Sequence, residues 1–294
     1  MITLFLMTKK GYSVLRGIID AGYSSVIDMV VLSRDESMQN DYFDDLVALC
    51  VENNITCTDN KNISTTSAYA IAVSWRWMIN LSTTKLIVLH DSILPKYRGF
   101  SPLINMLING EKKIGVTALF ASSEYDRGEI IDQRSIDITY PIKIFDAINV
   151  LSDLYVDLVN MIIKKCTQNE MILATPQNEG DATYSLWRNE EDYIINWEND
   201  AEYNKRFIDS LGFPFNGAKT FMNNDSVRIH NSSVLEDVHV ENRVAGKIIF
   251  LSNGFPVVVC GKGLLKITEM TDNAGNSLIP FKKMRVKFSN LTVS

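Results

Sequence analysis

Within ten positions, His90-Asp-Ser-Ile-Leu-Pro-Lys-Tyr-Arg-Gly99 gathers a base, a hydroxyl, a proline and two cationic side chains, and a carboxylate follows at Asp126-Arg-Gly128. An imidazole beside a carboxylate suits proton transfer while a nucleophile attacks an acyl carbon. The carboxylate would orient the ring and stabilise the imidazolium formed when the ring takes a proton. His90 is one of only three histidines, and it follows the apolar run Leu86-Ile-Val-Leu89. That run reads as a short buried strand whose C-terminal end delivers the ring to a crevice, where open α/β sheets bind their ligands.

The elements that must position this pair show in the hydrophobic pattern. A strand at 2 to 7, a helix from about 12 to 21, a strand at 25 to 32 and a helical stretch near 40 to 53 precede strands at 69 to 75 and 86 to 90. The alternation predicts a mostly parallel sheet with flanking helices. Val116-Thr-Ala-Leu-Phe120 and Ile130 to Ile138 pattern as a hairpin. Ile144, Ile148, Leu151, Tyr155, Leu158 and Ile162 recur at three- and four-residue steps, the stripe of a long core-facing helix. The polar segment Thr175 to Gly180 reads as a linker, giving a first domain over 1–178 and a smaller β-rich domain over 179–294 with the short strands of a barrel or open Greek key. His230 and His239 fall in that second region as structural or surface residues.

Composition narrows the function further. The chain has 294 residues, 46% of them apolar, and a formal net charge of −6 with no block of like charge, which argues against nonspecific capture of nucleic acid. The four cysteines are scattered without metal-ligand spacing, so neither a metal site nor a disulfide framework is expected, and a reducing cytoplasm is. Met1 to Met7 is too short to span a bilayer and lacks the marks of a leader, so no membrane association is expected. The first turn, Thr8-Lys-Lys-Gly-Tyr12, is no dinucleotide fingerprint, but Lys9 and Lys10 could hold a phosphate there.

The segment His90, Ser92, Ile93, Leu94, Pro95, Tyr97, Arg98 and Gly99 resembles the motif of formyltransferases that use 10-formyltetrahydrofolate. Asn109-Gly110-Glu111, Gly115-Val116-Thr117 and Asp126-x-Gly128-x-Ile130-Ile131 extend the likeness in the family's order, and Ala182 to Ser185, Trp187, Asp192, Ile195 and Trp197 resemble the start of its C-terminal domain. The resemblance implies a Rossmann-like sheet followed by an OB-like β domain. It implies direct transfer: a substrate amine attacks the formyl carbon, His90 takes the proton with Asp126 behind it, and tetrahydrofolate leaves. The family's triad also has an asparagine two residues before the histidine, where this chain has Val88. Loss of one oxyanion donor can cost about 100-fold to 1,000-fold in turnover, so another donor is expected.

For the folate, the resemblance implies walls from Trp75, Arg76, Trp77, Met78 and Ile79 and from the loop Ser122, Ser123, Glu124 and Tyr125. For the acceptor it implies Lys9, Lys10 and Arg98 toward a pyrophosphate, with Tyr97, Gly99 and Phe100 near the sugar or base. The wording of the motif is most similar to bacterial N-formyltransferases acting on dTDP-linked 3- or 4-amino-dideoxy sugars for surface polysaccharide (O-antigen), cytoplasmic homodimers with folate as co-substrate. Methionyl-tRNA is the alternative acceptor, but residues 181–294 carry 13 Lys plus Arg against 14 Asp plus Glu, and a tRNA-binding domain is expected to be basic. Hydrolysis of the formyl donor and noncatalytic binding are two further alternatives.

Overall fold

The computed structural model describes residues 1–81, 83–223 and 225–290. The chain runs β1 (Ile2–Leu6), α1 (Thr8–Asp20), β2 (Ile27–Leu32), α2 (Phe43–Glu52), β3 (Cys57–Thr58), β4 (Tyr69–Val73), β5 (Lys85–His90), β6 (Arg98–Gly99), α3 (Pro102–Asn109), β7 (Lys113–Phe120), β8 (Ile130–Asp137) and α4 (Ile144–Thr167). It continues as β9 (Tyr184–Ser185), α5 (Ala201–Ser210), β10 (Ala218–Met222), β11 (Asp225–Leu235), β12 (Ile248–Ser252), β13 (Phe255–Val259), β14 (Leu264–Asp272) and β15 (Phe288–Ser289). Two compact units form. The first comprises residues 1–103, 112–138 and 146–187, and the second 104–111, 139–145 and 188–294. The first unit therefore runs past the expected boundary at 178.

The first unit is built on a seven-stranded sheet in the order β3-β2-β1-β4-β5-β7-β8. Strands β3 to β5 are parallel, and β7 and β8 close one edge as an antiparallel pair. The buried runs Ile2–Leu6 of β1 and 70–73 of β4 explain why these strands are apolar without alternation, as central parallel strands covered on both faces must be. The expected strand and helix alternation is present, and so is the hairpin, as β7 and β8. Helix α1 begins at Thr8, earlier than predicted, which moves Lys9 and Lys10 from a loop into its first turn. The stripe on α4 is buried as its periodicity requires, with Leu151, Tyr155, Leu158 and Ile162 at most 1% exposed. Gly17 lets α1 approach α4, since a Cβ there would lie 2.4 Å from a methyl of Val156.

The second unit is a curled antiparallel sheet in the order β12-β13-β14-β11-β10-β15 with α5 against it. The indole N–H of its buried Trp197 donates to Thr220 Oγ1 at 3.0 Å, and the ring stacks on Phe288. Helix α5 and strand β10 are additions to the expected strands. Asp200 caps α5, its side chain accepting from the Tyr203 amide. No helix among the described residues is long and apolar enough to cross a membrane.

Candidate active site

Strand β5 ends at His90, whose ring is 7% exposed, opposite Thr117 of β7. Beyond it the motif turns back on itself: Tyr97 and Gly99 have φ of 58° and 97°, and the turn brings the Tyr97 carbonyl to 2.8 Å from His90 Nε2. A carbonyl oxygen only accepts, so Nε2 carries a proton, and in the neutral ring the lone pair sits on Nδ1. That atom faces Asp126 Oδ1 at 3.4 Å. The other carboxylate oxygen of Asp126 accepts from the Gly99 amide at 2.8 Å. Residues 36 apart in sequence thus form one unit through a single backbone turn.

Three groups given no role at the site by the sequence expectations hold that turn. Thr117 Oγ1 accepts from the Leu94 amide at 3.1 Å and donates to the Ser92 carbonyl at 2.7 Å. Gln133 on β8 donates to the Leu94 carbonyl and to Thr117 Oγ1. Thr183 Oγ1 accepts from the Tyr97 amide at 2.9 Å, while the Arg98 and Phe100 amides donate to Thr183 and Ser185 carbonyls. Hydroxyls and amides within β-rich stretches give no local signal, because their partners are fixed only when the sheet assembles.

Asp126 has φ of 56°, and Gly128 two residues on meets the Phe120 carbonyl so closely that a Cβ would lie 1.7 Å from it. Only glycine fits there. Gly128→Ala must push the loop off β7, and forced overpacking of this kind costs about 1–3 kcal/mol. A thermal unfolding midpoint lowered by several degrees, together with lost activity, is the expected result; an unchanged midpoint would show that the loop relaxes freely.

Of the three cationic candidates for an acceptor phosphate, Lys10 and Arg98 meet carboxylates. Lys10 pairs with Asp91, whose other carboxylate oxygen accepts from the Tyr155 hydroxyl. Burial opposes ionisation of Asp91, but the Lys10 ammonium and the hydrogen bonds from Lys10 and Tyr155 hold its carboxyl below the usual range. Burial and the neighbouring Asp91 carboxylate push the Tyr155 hydroxyl well up. Arg98 is fully buried, its guanidinium engaged by Gln177 and bidentately by Glu179. Lys9 lies 5.8 Å from the Tyr42 ring centroid. Phe100 and Tyr125 are exposed and face each other with ring centroids 5.8 Å apart.

On the expected folate side, Trp75 packs edge-on between Phe5 and Trp77. Its indole N–H and the Ser74 hydroxyl are buried without partners. Arg76 pairs with Asp35 at 2.6 Å, Trp77 lies under the Lys61 ammonium, Met78 is exposed, and Ile79 joins the apolar cluster on Phe5 and Val31. Residues 121–125 are exposed, the Ser122 hydroxyl donating to the Glu124 carbonyl. A cavity of about 600 Å³ takes lining from both segments, including Ile79, Phe120, Ala121 and Ser122, with Leu81 and Leu86. Neither His90 nor Asp126 lines it. Val88 packs against the same Phe5, Val31, Ala70 and Ala72 cluster, two residues before His90 on the same strand face.

A mixed α/β sheet with a His–Asp pair at the end of β5, followed in the chain by an antiparallel β unit, has counterparts among known proteins in its fold. Residues 75–144 match the formyl transferase family and residues 188–280 its C-terminal domain. The chain is 30% identical over 215 residues to methionyl-tRNA formyltransferase from Syntrophomonas wolfei, covering 71% of this chain and 67% of that protein. Across five such curated relatives the match takes in 58% to 67% of their own length. Among solved structures, an N-formyltransferase from Helicobacter canadensis in complex with folinic acid and dTDP-3-aminofucose superposes with a TM-score of 0.66 at 15% identity, covering 92% of this chain and 99% of that one. HypX from Aquifex aeolicus in complex with tetrahydrofolic acid gives 0.62 at 19% identity, covering 94% of this chain and 45% of that one. This chain belongs to the folate-dependent formyltransferase family, a family of transferases.

Proposed function

We propose that the protein is an N-formyltransferase that moves the formyl group of 10-formyltetrahydrofolate to the amine of a dTDP-linked amino-dideoxy sugar. The observation that carries the chemistry is the His90 Nδ1 lone pair facing Asp126, with its tautomer set by the Tyr97 carbonyl. As the acceptor nitrogen bonds to the formyl carbon, Nδ1 takes its proton and the imidazolium is held by the Asp126 carboxylate; that proton then passes to the folate nitrogen as its bond to the formyl carbon breaks and tetrahydrofolate leaves. Asp126 does not move to do this, because the Gly99 amide holds its other oxygen. 10-Formyltetrahydrofolate supplies the electrophilic carbon when bound.

Several features favour the folate reading of the Trp75 to Ile79 segment and the Ser122 to Tyr125 loop. A pterin edge alternates donors and acceptors, and the unpartnered Trp75 N–H and Ser74 hydroxyl are groups that such an edge would satisfy. The adjoining cavity is of a size that encloses small ligands. On the acceptor side, exposed Phe100 and Tyr125 offer a stacking surface beside the carboxylate, and Tyr97 and Gly99 shape the turn beneath it. Lys9, Lys10 and Arg98 are the cations proposed for a pyrophosphate, with Lys10 and Arg98 contributing through their pairs with Asp91 and Glu179.

The near-neutral charge of residues 181–294 favours a sugar nucleotide over tRNA. Methionyl-tRNA is the second reading, supported by the names of the curated relatives. Incubation with 10-formyltetrahydrofolate and either a panel of dTDP-amino sugars or methionyl-tRNA separates them by acceptor-dependent release of tetrahydrofolate. Sugar-dependent release is expected. Release with tRNA alone would overturn the sugar reading, release with no acceptor would indicate hydrolysis, and no release would sink the enzymatic reading altogether. The same proposal carries a cytoplasmic homodimer, which light scattering would test.

A further inference from the structure

The segment that the sequence presents as a polar linker folds back onto the catalytic turn. Gln177, half-buried, donates from Nε2 to the carbonyls of Asp126 at 2.7 Å and Gly128 at 2.8 Å. Its Oε1 accepts from Arg98 Nε at 3.1 Å and Nη2 at 2.8 Å. The four contacts fix the amide's orientation, because the flipped group would set its oxygen against two carbonyls and its NH2 against a guanidinium. Arg98 is immobilised in turn by the Glu179 carboxylate and by backbone pairing of β6 with β9. Gly99, the next residue, donates to the Asp126 carboxylate. A closed circuit results: Asp126 main chain, Gln177, Arg98, Gly99, Asp126 side chain.

We propose that Gln177 is a positioning residue for Asp126, locking both the main chain and, through Arg98 and Gly99, the carboxylate that faces His90. Asp126 needs such a lock. Its left-handed backbone and the contact of Gly128 with β7 leave it on an exposed loop, where the carboxylate would otherwise sample other rotamers. Gln177 touches neither reacting atom and acts only through the circuit. The assignment to catalysis rests on the formyl-transfer reading above; the assignment to Asp126 geometry does not.

Gln177→Glu tests it, because the carboxylate still accepts from Arg98 while turning an oxygen against the Asp126 and Gly128 carbonyls. Gln177→Met, of similar length and uncharged, is the second variant should the first fold poorly. A misplacement of about 1 Å costs on the order of 100-fold, so kcat should fall by about that factor while KM for 10-formyltetrahydrofolate stays within about twofold. Independently of turnover, the ¹⁵N signal of His90 Nδ1, assigned by its absence in His90→Asn, should move toward its position in Asp126→Asn. A wild-type kcat and a wild-type Nδ1 signal overturn the proposal. Lost turnover with an unmoved Nδ1 signal overturns it too, since Gln177 would then act elsewhere. If the wild-type protein transfers no formyl group at all, the functional reading falls, and the ¹⁵N comparison alone decides the positioning role.

Discussion

His90→Asn should slow formyl transfer by about 100-fold to 10,000-fold, the range that a positioned general base contributes. The loss belongs near the upper end. Val88 supplies no hydrogen-bond donor where the family resemblance implies an amide, so proton removal by the ring must carry more of the rate. Asparagine is too short to reach the Tyr97 carbonyl that Nε2 holds, so His90→Gln, whose amide nitrogen falls near Nε2 and can keep that bond, is the companion variant that makes the experiment a test of chemistry. Binding of folate and of dTDP, measured by calorimetry, should remain within a few-fold of the wild type. Turnover within a few-fold of wild type would remove His90 from the mechanism.

Asp126→Asn should be as severe, about 10,000-fold, by a different route. The new carbonyl oxygen can keep the bond from the Gly99 amide, so the loop stays in place. Its NH2 then points at His90 Nδ1 and donates to the lone pair that has to accept the amine proton. The base is occupied and the charge that would stabilise the imidazolium is gone. Asp126→Ala leaves the lone pair free but the ring unsupported, so it should retain more activity than Asp126→Asn. The reverse order would mean that the carboxylate acts by charge alone and that the tautomer at His90 is not set by Tyr97.

The difference between what the sequence announces and what the fold adds is one of range. The apolar run to His90, the hairpin of β7 and β8 and the α4 stripe are written in short periodicities, because each element must bury one face whatever else happens. The His90 and Asp126 pairing was legible only through a motif, since nothing in 36 residues of spacing encodes a 3.4 Å contact. Lys10 and Arg98 show the opposite limit. Cations beside a catalytic motif suggest an anionic ligand, yet each meets a carboxylate from a distant segment, Asp91 and Glu179. Gln177 was hidden for a related reason: its amide bonds the Asp126 and Gly128 carbonyls and Glu179 pairs with Arg98, while polarity by itself reads as solvent exposure.

Strand β7 runs against β5, so Phe120 pairs with Ile87, and the chain leaving it starts three residues below His90. Residues 121 to 129 must climb back along β5 before Asp126 can meet the ring, with Phe120 and Glu129 tied together at the base. The loop is therefore a ruler. Removing or adding one residue displaces the downstream chain by about 3.3 Å, as much as the whole His90 to Asp126 separation. Redesign of the proposed folate pocket can change the exposed side chains from Ser122 to Tyr125, but their number sets where Asp126 meets the ring.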